Sequence, residues 1–351
     1  MSVSTSPPGM DTLALIGTQS EPEHRIVNST ASLTVAYNAA KVLPRQIEAL
    51  AMQKPPLQEI IVVDNASTDG TADMLAELYP HVTVLRQREN LGQAGGWAAG
   101  LSYAALKKGH DWIWTFDNDS VPEADTLEAL LQGIETLGSD VGMVAPMPIH
   151  RETGTSYTPY LWLEGFVKPS EELLCQSIWF ADLVIASGCL LRREVVEKIG
   201  LPRSDFFIDI VDVEYCLRAR SCGYKIAVIS RARVSHEIGN SRKIDLLGYK
   251  LLWTNQPPFR EYYISRNLTY LAWWLQPTRA TKRSVARYLA IHAAQILLFG
   301  TNKLRCVLRM IQGFHDGLRG RLGIPLRPEA DSVQRGPDSL SPIEHIEVEK
   351  A

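Results

Sequence analysis

The chain predicts an α/β fold, a mainly parallel sheet flanked by helices, on three observations. Short β-branched runs alternate with stretches of helical apolar spacing from Ala31 onward, the order that right-handed crossovers impose on a parallel sheet. Successive predicted strands end on polar or small residues, at Asn38, Asp64 and Asp117. The apolar run Trp112–Phe116 stops on Asp117-Asn118-Asp119, as a buried strand does when it delivers carboxylates to the edge where open α/β folds bind ligands.

The elements follow in order. Ala31–Asn38 is predicted as the first strand, and Lys41–Gln53 as a helix from the spacing of Leu43, Ile47 and Leu50. Glu59–Asp64 is a continuous apolar strand, broken by the turn residues Asn65–Gly70 before a helix over Thr71–Leu78 and a short strand over Val82–Leu85. The glycine-rich segment Asn90–Gly100 leads into a helix ending near Lys108, and the strand to Asp117 comes next. Further on, the pattern predicts a helix over Pro122–Leu137, a strand over Val141–Ala145 and an irregular, Trp/Tyr/Pro-rich connection over Met147–Trp179. Asp182–Leu191 reads as a strand with a break at Ser187-Gly188, Arg193–Ile199 as a helix closed by Gly200, and the segment from Asp212 to Gly223 as a helix. Lys225–Ile229 is a last short strand, leading to Val234-Ser235-His236.

Composition narrows the function classes. The chain has 351 residues and a formal charge of −3, enough for one large domain and a smaller region, with no global excess of basic charge toward nucleic acid. Five cysteines, at 175, 189, 216, 222 and 306, form no Cys-x-x-Cys pair and no ligand spacing with histidine, which argues for reduced thiols over a zinc site. Residues 1–30 are Ser/Thr/Pro-rich without the basic and apolar parts of a signal peptide, so they read as a flexible tail, as do residues 325–351. Between them the expected divisions are a catalytic domain over 31–250 and a helical, basic and aromatic region over 251–324.

Three groups of residues carry chemistry. Asp117 and Asp119 are hard oxygen donors suited to Mg²⁺ or Mn²⁺ beside a diphosphate, although Asp-x-Asp after a strand also serves as a turn or helix cap. Asp209, Asp212 and Glu214 crowd the start of a helix, where one carboxylate can face a cleft while its neighbours support the fold. His236, alone after a strand, is either structural or a metal or phosphate contact.

Taken in order, Asp64-Asn-Ala-Ser-Thr-Asp69-Gly-Thr71, Asn90-Leu-Gly-Gln-Ala-Gly-Gly, Asp117-Asn-Asp119, Val211-Asp212-Val-Glu214 and His236 resemble the inverting glycosyltransferases of family two, which have the GT-A fold. The resemblance spans about Leu33 to Gly239. Ala94-Gly-Gly-Trp97 and Gly200–Ile208 are similar to galactofuranosyltransferases, whereas Phe207–Arg220 and Phe259–Asn267 are similar to rhamnosyltransferases. The resemblance implies a nucleotide site framed by Ala36, Tyr37 and Asn38, with Asp64 accepting the base N–H. It implies support from Asp69 and Asn90, and close backbone approach to the diphosphate or sugar at Gly92, Gly95 and Gly96. Asp117, Asp119 and His236 would be the metal site, Asp117 also lying near the ribose, and Asp212 the catalytic base. Two departures stand out: Val211 replaces the acidic residue that commonly precedes the base, and Asn118 occupies the centre of the metal motif.

The expected function is transfer of one sugar from a nucleotide diphosphate to a glycan or polyprenyl-linked acceptor, with dTDP-rhamnose ahead of UDP-galactofuranose as donor. Glu214 and Trp179 are assigned to the acceptor side, with Trp179 and Trp162 either lining sugar or filling core. A non-catalytic nucleotide-sugar-binding subunit is the rival from another class. The apolar stretch Tyr288–Gly300 is too short and interrupted to span a bilayer of roughly 30 Å. The basic and aromatic residues between Arg260 and Arg321 therefore suit either an anionic membrane surface or packing on the core or a second copy of the chain. The expected location is cytoplasmic, at the inner face of a bacterial membrane, and no recognised nucleic-acid module accompanies the charge.

Overall fold

The computed structural model describes residues 29–150, 159–163, 165–236, 241–246, 249–327 and 347–349. Strands and helices alternate through β1 (Thr30–Ala36), α1 (Leu43–Ala51), β2 (Glu59–Asp64), α2 (Thr71–Leu78), β3 (Thr83–Arg86), α3 (Gly92–Leu101) and β4 (Trp112–Asp117). Then come β5 (Val121–Pro122), α4 (Thr126–Glu135), β6 (Val141–His150), the small hairpin β7 (Leu161–Trp162) and β8 (Phe166–Val167), α5 (Glu171–Leu174), β9 (Ile178–Ala181) and β10 (Leu190–Arg192). The chain continues with α6 (Arg193–Ile199), α7 (Val211–Ser221), β11 (Lys225–His236), the hairpin β12 (Ser241–Leu246) and β13 (Tyr249–Thr254), α8 (Pro258–Tyr270), α9 (Arg279–Phe299), α10 (Lys303–Leu318) and β14 (Glu347–Glu349).

The main sheet runs β14-β3-β2-β1-β4-β10-β6-β11-β5, with β9 also on β11. Strands β3, β2, β1 and β4 are mutually parallel, as are β6 and β11, while β10 runs antiparallel between the two sets. Apolar side chains fill both faces of this sheet, as expected for strands covered on two sides. The register sets Val35 beside Asp117 and Ala36 beside Asp64, so the polar strand ends converge on one edge.

Several boundaries differ from the sequence reading. Most of the strand predicted over Asp182–Leu191 is loop, since β9 ends at Ala181 just before it and β10 begins only at Leu190. Gly188, at φ 84°, turns that loop so that its N–H donates to Thr115 O at 2.7 Å, and its carbonyl accepts from the indole of Trp114 at 2.8 Å. The strand predicted to end at Ile229 continues to His236, past a shift of register between Ile229 and Arg233. The helix predicted from Pro122 begins at Thr126, because Val121 and Pro122 pair with β11.

The helical region expected after 251 is present, and it does not stand clear of the catalytic part. Its helices begin at Pro258, and α8, buried along Glu261–Thr269, packs chiefly on α10 and reaches the carbonyls of 205–209 through Arg266 and Asn267. Nor is residue 325 the start of a loose tail: the Tyr263 hydroxyl donates to Leu326 O at 2.6 Å, Arg327 pairs with Glu89 at 3.1 Å, and β14 pairs with β3. Residues 1–28 of the tail predicted over 1–30, 151–158 and 164 of the irregular connection, 237–240, 247–248, 328–346 and 350–351 lie outside the described residues, while Thr30 already belongs to β1.

Candidate active site

A cleft of about 440 Å³ opens at the carboxyl edge of β1 and β4, lined in part by Tyr37, Asn90, Gln93, Asp117, Asp119 and His236. Ligand atoms of Asp117, Asp119 and His236 lie within 4.8 Å of one another, a carboxylate, carboxylate and imidazole set that fits a hard divalent cation. The extension of β11 brings His236 across to the two aspartates. His236 Nδ1 is 3.3 Å from Asp119 Oδ1 and 2.5 Å from Ser120 Oγ, which accepts from Ser187 Oγ at 2.6 Å. The Ser187 hydroxyl also accepts from the Asp117 main-chain N–H at 3.2 Å.

Other side chains hold the acidic turn in place. Gln46 on α1 donates its amide to the carbonyls of Asp117 at 2.6 Å and Ser120 at 2.5 Å. Gln93 donates to Asp117 Oδ1 at 2.9 Å. Burial pushes the Asp117 carboxyl above its ordinary range, as does the charge of Asp119, against the pull of His236, Arg260 and Gln93. A cation at this site would relieve the same repulsion.

Asp212 stands in the first turn of α7, half-buried. Burial raises its pKa to about 6, the Val213 N–H bond at 2.8 Å opposes this, and the charges of Asp117 and Asp209 add to the rise. A carboxylate tuned upward within electrostatic reach of the cleft residue Asp117 has the proton affinity a general base needs. The turn before it is strained: Phe207, Asp209 and Ile210 have φ of 63°, 64° and 63°. Asp209 is bound by Arg260, whose Nε lies 3.0 Å from Oδ2 and whose Nη2 lies 2.5 Å from Oδ1, so a fixed guanidinium reaches the cleft.

The predicted nucleotide residues divide into cleft walls and scaffold. Tyr37, Asn90, Gly92 and Asp117 line the cleft. Ala36 is wholly buried, Asp64 is 3% exposed with Oδ1 accepting from Ser67 N–H at 3.2 Å, and Asn38 Oδ1 accepts from Thr68 N–H at 2.8 Å. Asp69 accepts from the N–H groups of Ala40 and Thr71, both at 3.1 Å, and so supports the turn. Gly92 is required by protein packing: at φ +70° a Cβ there would stand 2.2 Å from Phe207 O. A Cβ on Gly95 would meet Leu91 at 2.4 Å and one on Gly96 would meet Val35 at 2.5 Å, so these two glycines serve close packing.

Both acceptor-side assignments are corrected. Glu214 is 5% exposed and gripped by Arg218, with Nε to Oε1 at 2.9 Å and Nη2 to Oε2 at 3.0 Å, so its carboxylate braces α7. Trp179 is 1% exposed, buried on β9 against β11. Among residues the sequence reading gave no site role, Gln93, Arg260 and Asn65 matter most. Asn65 joins Asn90 Oδ1 at 3.1 Å, Gly92 O at 2.9 Å and Leu91 N at 3.0 Å. Asn65 and Gln93 lay inside the motifs already singled out, and Arg260 lay in the segment similar to rhamnosyltransferases.

Comparison with known proteins points the same way. The profile of the family described as glycosyl transferase family 2 matches residues 33–200. Residues 33–200 thus resemble a family 2 glycosyltransferase domain. The transferase is 27% identical over 268 residues to a dTDP-rhamnosyl transferase of Shigella flexneri, covering 75% of this chain and 87% of that one. It is 29% identical over 252 residues to a galactofuranosyltransferase of Mycolicibacterium smegmatis, covering 68% and 82%. Its fold matches the crystal structure of GalNAc-T7 with UDP, GalNAc and Mn²⁺ at a TM-score of 0.56 and 16% identity, over 84% of this chain and 56% of that one. That likeness supports the GT-A architecture. Among the described residues of the transferase no helix is long and apolar enough to cross a membrane.

Proposed function

We propose that this glycosyltransferase moves a single sugar from a nucleotide diphosphate donor with inversion at the anomeric carbon, Asp212 acting as base. The observation that carries the reading is the Asp117–Asp119–His236 cluster at the cleft together with Asp212, whose carboxyl is pushed up to about 6 by burial and by the charge of Asp117 among others. Asp212 takes the proton from an acceptor hydroxyl as its oxygen attacks opposite the departing nucleotide. Asp117, Asp119 and His236 would hold Mg²⁺ or Mn²⁺, which there offsets negative charge on the diphosphate leaving group. Arg260, oriented by Asp209, supplies a fixed positive charge to the same cleft.

The similarity to a dTDP-rhamnosyl transferase and to galactofuranosyltransferases supports dTDP-rhamnose as the first donor to test and UDP-galactofuranose as the second. The acceptor is a glycan or lipid-linked glycan in cell-surface polysaccharide assembly. A membrane-facing role for α9 and α10 is supported by exposed Ile291, Leu297 and Leu298 on α9 and Leu304, Leu308 and Ile311 on α10. From Arg279 to His315 the chain has basic residues and no Asp or Glu, which favours an anionic leaflet at the cytoplasmic face. Tyr262, Tyr263 and Arg266 take no part in such a surface, because they are buried.

The test is nucleotide release from dTDP-rhamnose, UDP-galactofuranose, UDP-galactose and UDP-glucose, with Mn²⁺ or Mg²⁺ and extracted lipid-linked glycan. Release from one donor that requires metal and Asp212 supports the reading. Nucleotide binding without release from any donor favours the binding-subunit alternative.

A further inference from the structure

A second cavity of about 500 Å³ adjoins the cleft, sharing Gln256 and Phe259 with it. Its walls include Arg305 and Arg309 of α10 and Arg327 of the following segment. No Asp or Glu lines it among the described residues. Arg305 and Arg309, four positions apart on one helix, project from the same face. Arg309 commits one of its five N–H donors to Gln312 at 2.6 Å, and Arg327 is braced against Glu89 at 3.1 Å and against the carbonyl of Asn90. Arg327 thereby joins this cavity to the wall of the cleft. Planar guanidinium groups in a wall that no described Asp or Glu lines form a receptor for phosphate oxygens, with Arg327 the one offset by Glu89 behind that wall's lining. The catalytic cleft contrasts with it, since two aspartates lie in its wall.

Apolar surface lies beside these arginines. Leu304 and Leu308 flank Arg305 and Arg309 on α10 and are 77% and 65% exposed. A phosphate held by the arginines would therefore have an apolar ledge next to it and the reacting cleft on its other side.

We propose that this cavity seats a phosphate or diphosphate group of the acceptor, so that the sugar hydroxyl beyond it reaches the cleft. The acceptor role rests on the transferase reading above, whereas the anion site stands on the cavity itself. The chemistry is that of a phosphate ester, carried either by a polyprenyl lipid or by a soluble phosphorylated glycan.

Titration of the full chain with inorganic pyrophosphate and with farnesyl diphosphate, in EDTA to silence the aspartate–histidine cluster, tests the site. Both probes are expected to bind, and the double variant Arg305→Ala/Arg309→Ala is expected to weaken them roughly ten-fold or more, with partial recovery in the Lys/Lys pair. Titration of UDP with Mn²⁺ reports that the cleft of each variant is still folded. Farnesyl diphosphate binding more tightly than pyrophosphate, with the difference lost in Leu304→Ser/Leu308→Ser, assigns the lipid source; equal affinities assign the soluble one. No binding by the parent chain, or equal binding by parent and double variant, overturns the proposal. Because the donor assay reads metal-dependent nucleotide release without these probes, failure of the transferase reading shows there and not here.

Discussion

The side-chain amide of Asn267 on α8 donates to the main-chain oxygen of Asp209 at 2.8 Å. The same Nδ2 reaches Ile208 O at 3.0 Å and Phe206 O at 3.1 Å, and the neighbouring Arg266 reaches Asp205 O at 2.9 Å and Phe206 O at 3.0 Å. The turn that presents Asp212 thus has its carbonyls satisfied by a helix outside the matched family segment. Such contacts hold backbone in sparsely populated conformations.

Asn267→Leu removes those donors while keeping much of the side-chain volume. The expected result is a stability loss of about 1–3 kcal/mol in denaturant unfolding, from buried carbonyls left unpaired. Nucleotide release should fall more than nucleotide affinity, since the turn positions Asp212. Unchanged release with lowered stability would mean that the turn holds its shape without α8.

Asp212→Asn is expected to cut transfer by about 10²–10⁴-fold and to spare nucleotide binding. The folded-state pKa of about 6 is raised above the ordinary value of 3.8, so ionising Asp212 costs stability as pH rises through that window. The Asn variant is therefore expected to melt no lower than the parent at pH 7.5. A variant that transfers normally would remove Asp212 from the base role.

The pH profile of the parent follows from the same group. A base must be unprotonated to act, so kcat/KM is expected to rise with pH and to level off above about 6. A profile flat from pH 5 to 8, measured by nucleotide release at saturating metal, would contradict that assignment.

Ser120 touches His236 and lies beside Asp119 without being one of the three clustered residues. Ser120→Ala is expected to raise the Mn²⁺ concentration needed for half-maximal nucleotide release by about 10–100-fold, because the imidazole loses the group that orients it. His236→Ala should do at least as much. An unaltered Mn²⁺ requirement in both variants would place the metal elsewhere.

Gly92→Ala places a methyl group 2.2 Å from Phe207 O at φ +70°. The contact cannot be relieved by a side-chain rotation, so a stability loss of about 1–3 kcal/mol is expected, read as a lower urea midpoint. Gly70→Ala has the same sign of φ, at +87°, but no atom within 4 Å, and should cost less.

By itself the sequence determined the alternating layers and the placing of acidic residues at strand and helix ends, because both are written in short-range patterns. The run Trp112–Phe116 closing on Asp117 is one such pattern, and Asp212 at a helix start is another. Only the tertiary structure decided which polar residues face the cleft. Glu214 and Asp212 stand two positions apart on one helix, and rotation about that axis sends Glu214 to Arg218 while Asp212 feels the charge of Asp117. His236 reaches Asp119 because β11 runs past its register shift, and Asn267 reaches Asp209 across 58 positions of sequence. Hydrogen bonds between such distant residues leave no periodicity in the chain, since their geometry exists only once the sheet and α8 have packed.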